Sequence, residues 1–180
     1  RLMGTVVEDV TVSLAGTKHK SHGAILLTHW GMSGPAILKL SSYAARHLAE
    51  NDYKGTIAIN WCGGRNEEMV RQSLGNMLAA NAQKLSTNAY PSHLTQSHWL
   101  VMLERAGIPV TQRWGALNKK HINRLVTVLT ADVHHITGRC HFKEEFVTAG
   151  GISLSEINIK TMESKRYPGL YFAGEVLDVD

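Results

Sequence analysis

Apolar and polar residues alternate near the start of the chain. In residues 5–14 ("TVVEDVTVSL") Val10, Val12 and Leu14 are separated by Thr11 and Ser13, the period of a half-buried strand. "AGTKHKSHG" predicts a polar turn, and the apolar residues 24–28 predict a second strand. The period then changes. Within and beyond "THWGMSGPAILKL", Ile37, Leu40, Ala44 and Leu48 recur at helical spacing, with Pro35 suited to the first turn and Ser33 or Gly34 as cap, so one helix is predicted over 35–49. "NDYKG" ends it, and residues 56–61 return to strand. Glu67 and Glu68 then open an amphipathic helix carrying Met69, Leu74, Met77 and Leu78, their charge matching the positive end of the helix dipole. Ser92 or Ser97 caps a second helix through Trp99, Met102 and Leu103, stopped by Gly107, Ile108 and Pro109. A third carries Leu117, His121, Ile122, Leu125 and Leu129.

"ADVHHITG" and "HFKEEFVTAGG" predict strands joined by a turn at Gly138, so β sequence brackets the helical block. The run Leu170, Tyr171, Phe172 and Ala173 between Gly169 and Gly174 has the look of a buried parallel strand, with Glu175 directly after it. The class this predicts is α+β. A β-barrel-like module spans 1–63 and 130–147, a helical subdomain 64–129, and a closing segment 148–180.

Composition narrows the class only slightly. The chain has 180 residues, 43% hydrophobic and 19% charged, enough to bury a core. Lys and Arg exceed Asp and Glu by 19 to 15, but they are scattered, Lys119-Lys120-His121 being the densest cluster, which argues against a nucleic-acid partner. Cys62 and Cys140 form neither a disulfide framework nor a cysteine-rich zinc site, which fits a reducing, cytoplasmic setting. No apolar run is long enough for a membrane helix, and no export pattern opens the sequence. Starting at Arg1 directly in strand-like sequence, the chain reads as a piece of something larger.

Three stretches carry candidate chemistry. Gly31-Met32-Ser33-Gly34-Pro35 either leaves backbone N–H groups free for an anion or a flavin edge, or is a capped turn. Thr148-Ala149-Gly150-Gly151 permits close backbone approach to a ligand, or is a hairpin. Thr161, Glu163 and Lys165 share a face if extended, or belong to a solvated charged strand. His134, His135, Cys140 and His141 have no paired zinc spacing, and adjacent histidines on a strand point to opposite faces, so no metal is predicted. Neither G-x-S-x-G nor a P-loop occurs, and G-x-G-x-x-G is excluded because no two glycines lie two positions apart.

Taken together, "LLTHWGMSGPAILKLS", "VTAGGISLSEI" and "TMESKRYPGLYFAGEVLDVD" resemble, in order, the HI0933-like (YhiN/BaiN-type) FAD-dependent oxidoreductases. More distantly, the G-G-I and P-G-L-Y-x-A-G-E elements are similar to the closing segment of fumarate reductases and aspartate oxidases. The resemblance implies a Rossmann-type FAD domain interrupted by an insert, a β-barrel-like module with a helical subdomain. This chain would be that insert, a cap on the substrate side, plus a fragment of the returning FAD domain. By the HI0933-like resemblance Gly174 and Glu175 would meet FAD with Asp178 nearby, and by the more distant one Gly150 and Gly151 would lie near the isoalloxazine ring. Thr28, Gly31, Ser33 and Gly34, with Thr161 and Glu163, would face substrate or flavin. No catalytic acid or base is assigned; His29, Glu163 and Lys165 are only polar residues within the motifs.

The implied partners are the FAD-binding domain of the same protein, a small-molecule substrate, NADH or NADPH as reductant, and a second copy through an exposed C-terminal strand. Alone, the piece is expected to be inactive and not to retain FAD. The competing expectation is a non-catalytic module for RNA or a protein, although the aromatic and basic interleaving of RNA-binding surfaces is missing.

Overall fold

The alternation at the start of the chain becomes β1 (Val6–Leu14), whose Val7, Val10, Val12 and Leu14 are buried. The computed structural model describes residues 2–139 and 149–179. Between Val7 and Val10 the period slips from two to three, because Asp9 adopts a left-handed φ of 56° and forms a bulge that bends the strand. β2 (Lys20–Leu27) and β4 (Gly55–Asn60) flank β1. β3 (Met32–Ser33) and β5 (Asp132–Ile136) extend the sheet to the order β3-β2-β1-β4-β5, antiparallel throughout. The result is a curled half-barrel with β3 and β5 at its edges.

The helix predicted over 35–49 is two helices, α1 (Pro35–Tyr43) and α2 (Ala45–Glu50), broken at the buried Ala44 (φ −99°, ψ 9°). Just before the break the Ser41 hydroxyl donates to the Leu38 carbonyl at 2.8 Å, the side-chain bonding that makes serine a weak helix former. Gly34 lets α1 start hard against β2: a Cβ there would lie 2.9 Å from the Ala24 carbonyl oxygen, and its φ is +98°.

Between β4 and β5 come α3 (Glu67–Asn81), α4 (Gln96–Arg105) and α5 (Lys119–Thr130). Asn66 caps α3 by accepting from the Met69 N–H at 2.9 Å. The cap of α4 is Thr95 and not Ser92 or Ser97, since a turn closed by Pro91 and Leu94 takes up the sequence before it. Asn118 and His121 form a capping box on α5. The stacked rings of Trp99 and Trp114, 6.1 Å apart, centre this block, and their N–H groups donate to the carbonyls of Ser86 and Ala89. Trp61 ties the block to the sheet, its backbone N–H donating to Leu129 at 2.8 Å.

Residues 149–179 form a hairpin of β6 (Ile157–Asn158) and β7 (Glu163–Ser164), with 3-10 turns at Leu154–Glu156 and Gly174–Val176. The parallel strand predicted at 170–173 is not formed. Tyr171 makes a single antiparallel bridge to Glu163, and Leu170 and Tyr171 are 45% and 60% exposed. A parallel strand needs neighbours on both sides, and this stretch finds only its own hairpin, so no Rossmann-type strand stands among the described residues. The strand predicted in "HFKEEFVTAGG", with Cys140, His141 and Thr148, lies largely outside them. Among the described residues no helix is long and apolar enough to cross a membrane.

Candidate functional site

The structure brings two of the sequence motifs together. The Ile152 N–H donates to the Val176 carbonyl at 2.9 Å and the Asp178 N–H to the Ile152 carbonyl at 3.0 Å, a parallel bridge that joins the Gly150-Gly151 stretch to the stretch following Gly174. Gly151 makes this approach sterically feasible: a Cβ on it would fall 2.6 Å from the Val176 oxygen and 2.9 Å from the Asp178 nitrogen. Because the segments run parallel, Gly150, Gly174 and Glu175 lie at one end of the junction. Gly150 (φ +100°) and Gly174 (φ +79°) face open space, and Glu175 is exposed. Asp178 is already occupied, its carboxylate accepting from the Arg46 guanidinium of α2 at 2.5 and 2.7 Å. Of the five residues expected at a cofactor, Gly151 and Asp178 therefore hold the junction, while Gly150, Gly174 and Glu175 remain open. Open left-handed glycines and an exposed acceptor fit a hydroxyl- and phosphate-bearing group.

The other expected residues serve local turns. The Thr28 hydroxyl accepts from the Gly31 N–H and donates to the Gly31 carbonyl, both at 3.0 Å, closing the turn between β2 and β3. Ser33 pairs with Leu26 in the ladder, and Gly34 is the close approach described above. Thr161 lies in the turn between β6 and β7, and the left-handed Met162 (φ 63°) breaks the alternation that would have set it beside Glu163. Glu163 accepts from the Gly169 N–H at 2.7 Å, and Lys165 donates to the Ser155 carbonyl at 2.8 Å.

A second polar group sits where sheet and helices meet. Asp132, 2% exposed, accepts from the Trp61 indole at 3.0 Å and His134 at 2.7 Å and pairs with Arg105 at 2.6 Å. Burial pushes its carboxyl up, but the hydrogen bonds and charges of His134, Trp61 and Arg105 outweigh burial and hold it below the ordinary value. His98 stands edge-on to Trp61 at 4.4 Å, fully buried with neither ring nitrogen bonded to protein, and burial lowers its pKa to about 4. Burial also raises the Cys62 thiol to about 11, which removes it as a nucleophile. His135 lies 3.1 Å from the Thr56 hydroxyl; Cys140 and His141 of the same histidine-rich stretch are outside the described residues.

Arg46 and the Asp132 network escaped the sequence reading because each joins residues far apart along the chain, 132 positions for Arg46 and Asp178 and 71 for Trp61 and Asp132. The junction has a direct test. Gly151→Ala should force Val176–Asp178 away from Ile152, so limited proteolysis should cut within 149–179 several times faster while the main thermal transition stays in place. Equal protection of this segment in the variant would contradict the assignment.

Comparison with known proteins follows this geometry. The sequence pattern described as the HI0933-like protein barrel and H2TH domain matches residues 1–147. The chain is 29% identical to the ribosomal RNA dihydrouridine synthase of Escherichia coli (strain K12) over 180 residues, 99% of this chain and 41% of that protein. It is 29% identical over 163 residues to the protein of the same name from Haemophilus influenzae, 88% of this chain and 37% of the relative. Against the 3-dehydro-bile acid delta(4,6)-reductase of Clostridium scindens it is 25% identical over 169 residues, 88% of this chain and 38% of the relative. The chain thus spans about two fifths of the length of these curated relatives.

Proposed function

The chain belongs to the HI0933-like family, and from that premise we propose that it is the substrate-side insert of a flavin-dependent reductase, carrying part of the surface that meets FAD. The observation that carries this reading is the junction at Ile152 and Leu177, which leaves Gly150, Gly174 and Glu175 open at one end. Gly150 and Gly174 allow the main chain to approach the cofactor closely, and Glu175 accepts from its hydroxyls. Arg46 holds Asp178, and with it the segment, against the barrel side. The closing segment also exposes Ile159, Tyr167, Tyr171 and Val179, at 67%, 67%, 60% and 68%, a surface suited to cover by an FAD-binding domain of the same protein.

The relatives' names narrow the reaction. Dihydrouridine is uridine with two hydrogens added across a ring double bond, and delta(4,6) denotes double bonds in a steroid whose 3-position is a ketone. In both, the carbon–carbon double bond is conjugated to a ring carbonyl. Hydride arrives at the carbon far from the carbonyl, and a proton then reaches the carbon next to it. FAD, when bound and reduced by NADH or NADPH, supplies the hydride; the insert shapes the pocket and keeps water out.

The test is the absorbance spectrum of the full-length protein after incubation with FAD. Bound flavin is expected, reduced in amount by Gly174→Val and by Glu175→Ala in the otherwise folded protein. A colourless full-length protein after FAD is supplied would defeat the reading.

A further inference from the structure

On the face of the sheet turned away from the core, three side chains stand as a nucleophile and its base would. His22 of β2 is the direct cross-strand partner of Thr11 of β1, and its Nδ1 lies 3.2 Å from the Thr11 hydroxyl oxygen. Its Nε2 lies 2.9 Å from the Asp9 carboxylate. A carboxylate only accepts, so in the neutral ring Nε2 carries the hydrogen, and Nδ1 is left with a lone pair to which the Thr11 hydroxyl donates. Asp9 thereby holds His22 in the tautomer that can take the proton of the hydroxyl.

The backbone around this trio is specialised. Asp9 sits at the bulge of β1, a device that re-aims a side chain. The turn from Cys62 to Arg65 is fixed by Asn60, which accepts from the Cys62 N–H at 2.9 Å and donates to the Arg65 carbonyl at 2.8 Å. That turn packs on the trio through two left-handed glycines: a Cβ on Gly63 would collide with the Asp9 carboxylate, and one on Gly64 would lie 3.4 Å from the Thr11 hydroxyl oxygen. Arg65 adds positive charge on this side, felt at Cys62 and His93. The same sheet face supplies an internal control. Thr56 of β4 pairs with His135 of β5, its hydroxyl 3.1 Å from Nδ1, but among the described residues no carboxylate is bonded to that ring. A surface hydrogen bond needs only such a pair; the carboxylate and the glycine turn set Thr11 apart.

We infer that Thr11 is an acyl-accepting nucleophile, with His22 as its base and Asp9 as the residue positioning that base, and that this site hydrolyses esters of short carboxylic acids. The Thr11 oxygen attacks the ester carbonyl carbon as its proton passes to His22 Nδ1; the bond to the alcohol oxygen then breaks, and the alcohol leaves with that proton. A water gives its proton to His22 and attacks the acyl-threonine, whose bond to the Thr11 oxygen breaks. The proton returns to Thr11 and the free acid departs. His22 and Asp9 are 56% and 69% exposed, an open setting that suits a short acyl group and offers no cover to a long chain. The inference is independent of the flavin reading, since neither step uses a redox partner.

The experiment mixes the full-length protein with p-nitrophenyl acetate, follows nitrophenol release by chromatography, and maps the acetyl group by peptide mass after an acid quench. A burst of nitrophenol and an acetyl on Thr11 are expected. Thr11→Val keeps the branched shape and should lose both, whereas Thr11→Ser keeps the hydroxyl and should retain both. His22→Gln should slow release by about 10²-fold or more. Asp9→Asn, which tolerates the left-handed backbone, should slow it about tenfold or more. Thr56→Val should leave release unchanged. Release from Thr11→Val equal to that of the parent, acetyl on Thr56 as readily as on Thr11, acetyl on lysine or histidine alone, or a Thr11→Ser variant with the parent's Tm and no burst would each overturn the inference.

Discussion

Asp132→Ala should lower the unfolding free energy by about 3 kcal/mol, seen as a fall in Tm of about 10 °C. The carboxylate is the common acceptor for Trp61, His134 and Arg105. Its removal leaves a buried indole N–H without a partner, which costs about 1–3 kcal/mol. It also strips the guanidinium of its counter-charge, a smaller loss because Arg105 is 40% exposed. Asp132→Asn keeps an acceptor for Trp61 and should cost roughly half as much. An alanine variant within about 1 kcal/mol of the parent would show that the network is not the tie between sheet and helices.

Acid should loosen the same region in two steps. His98 has its pKa lowered by burial from 6.5 to about 4, so the folded state refuses a proton that the unfolded state accepts. Stability is therefore full above pH 6.5, falls as pH drops from 6.5 towards 4, and loses about 3 kcal/mol over that window. Below it Asp132 takes over: its lowered pKa contributes stability above the ordinary value of 3.8 that disappears as pH falls through the folded value. His98→Leu should remove most of the first step, leaving the smaller share of His93, whose pKa burial also lowers, and leave the second, as read by urea unfolding at a series of pH values. A leucine variant with the same loss between pH 6.5 and 4 would place the acid sensitivity elsewhere.

Most elements could be read from the sequence because their signals are local. Alternation in β1, Pro35 at the start of α1, the acids opening α3 and the stop at Gly107 all survive in the fold. The errors arose where tertiary contacts decide. Ala44 breaks a helix whose apolar spacing runs straight through it. Leu170 to Ala173 has the composition of a buried parallel strand, but among the described residues the segment pairs only with its own hairpin. At the candidate site the sequence picked out Gly150, Gly151, Gly174, Glu175 and Asp178. What it lacked was the division of labour, because the steric demand on Gly151 comes from Val176 and the charge on Asp178 is answered from α2. The contact between α3 and α5 was illegible for a related reason. Helical winding and the packing of α3 on α5 put Arg71 beside Asn123, 52 positions away in the chain.

The register of β4 on β5 has a consequence for how such proteins can diversify. Ile59 is paired directly with Asp132, so the chain leaves the sheet and returns to it at adjacent rungs. To the pairing of β4 with β5, everything from Trp61 to Ala131 is one long excursion at the tip of a hairpin. Closing a longer loop costs little extra entropy, so such an excursion can grow, shrink or be exchanged without disturbing the strands that launch it. A protein organised this way can acquire a different grip on its substrate by trading one insertion, while the rungs beneath keep their pairing.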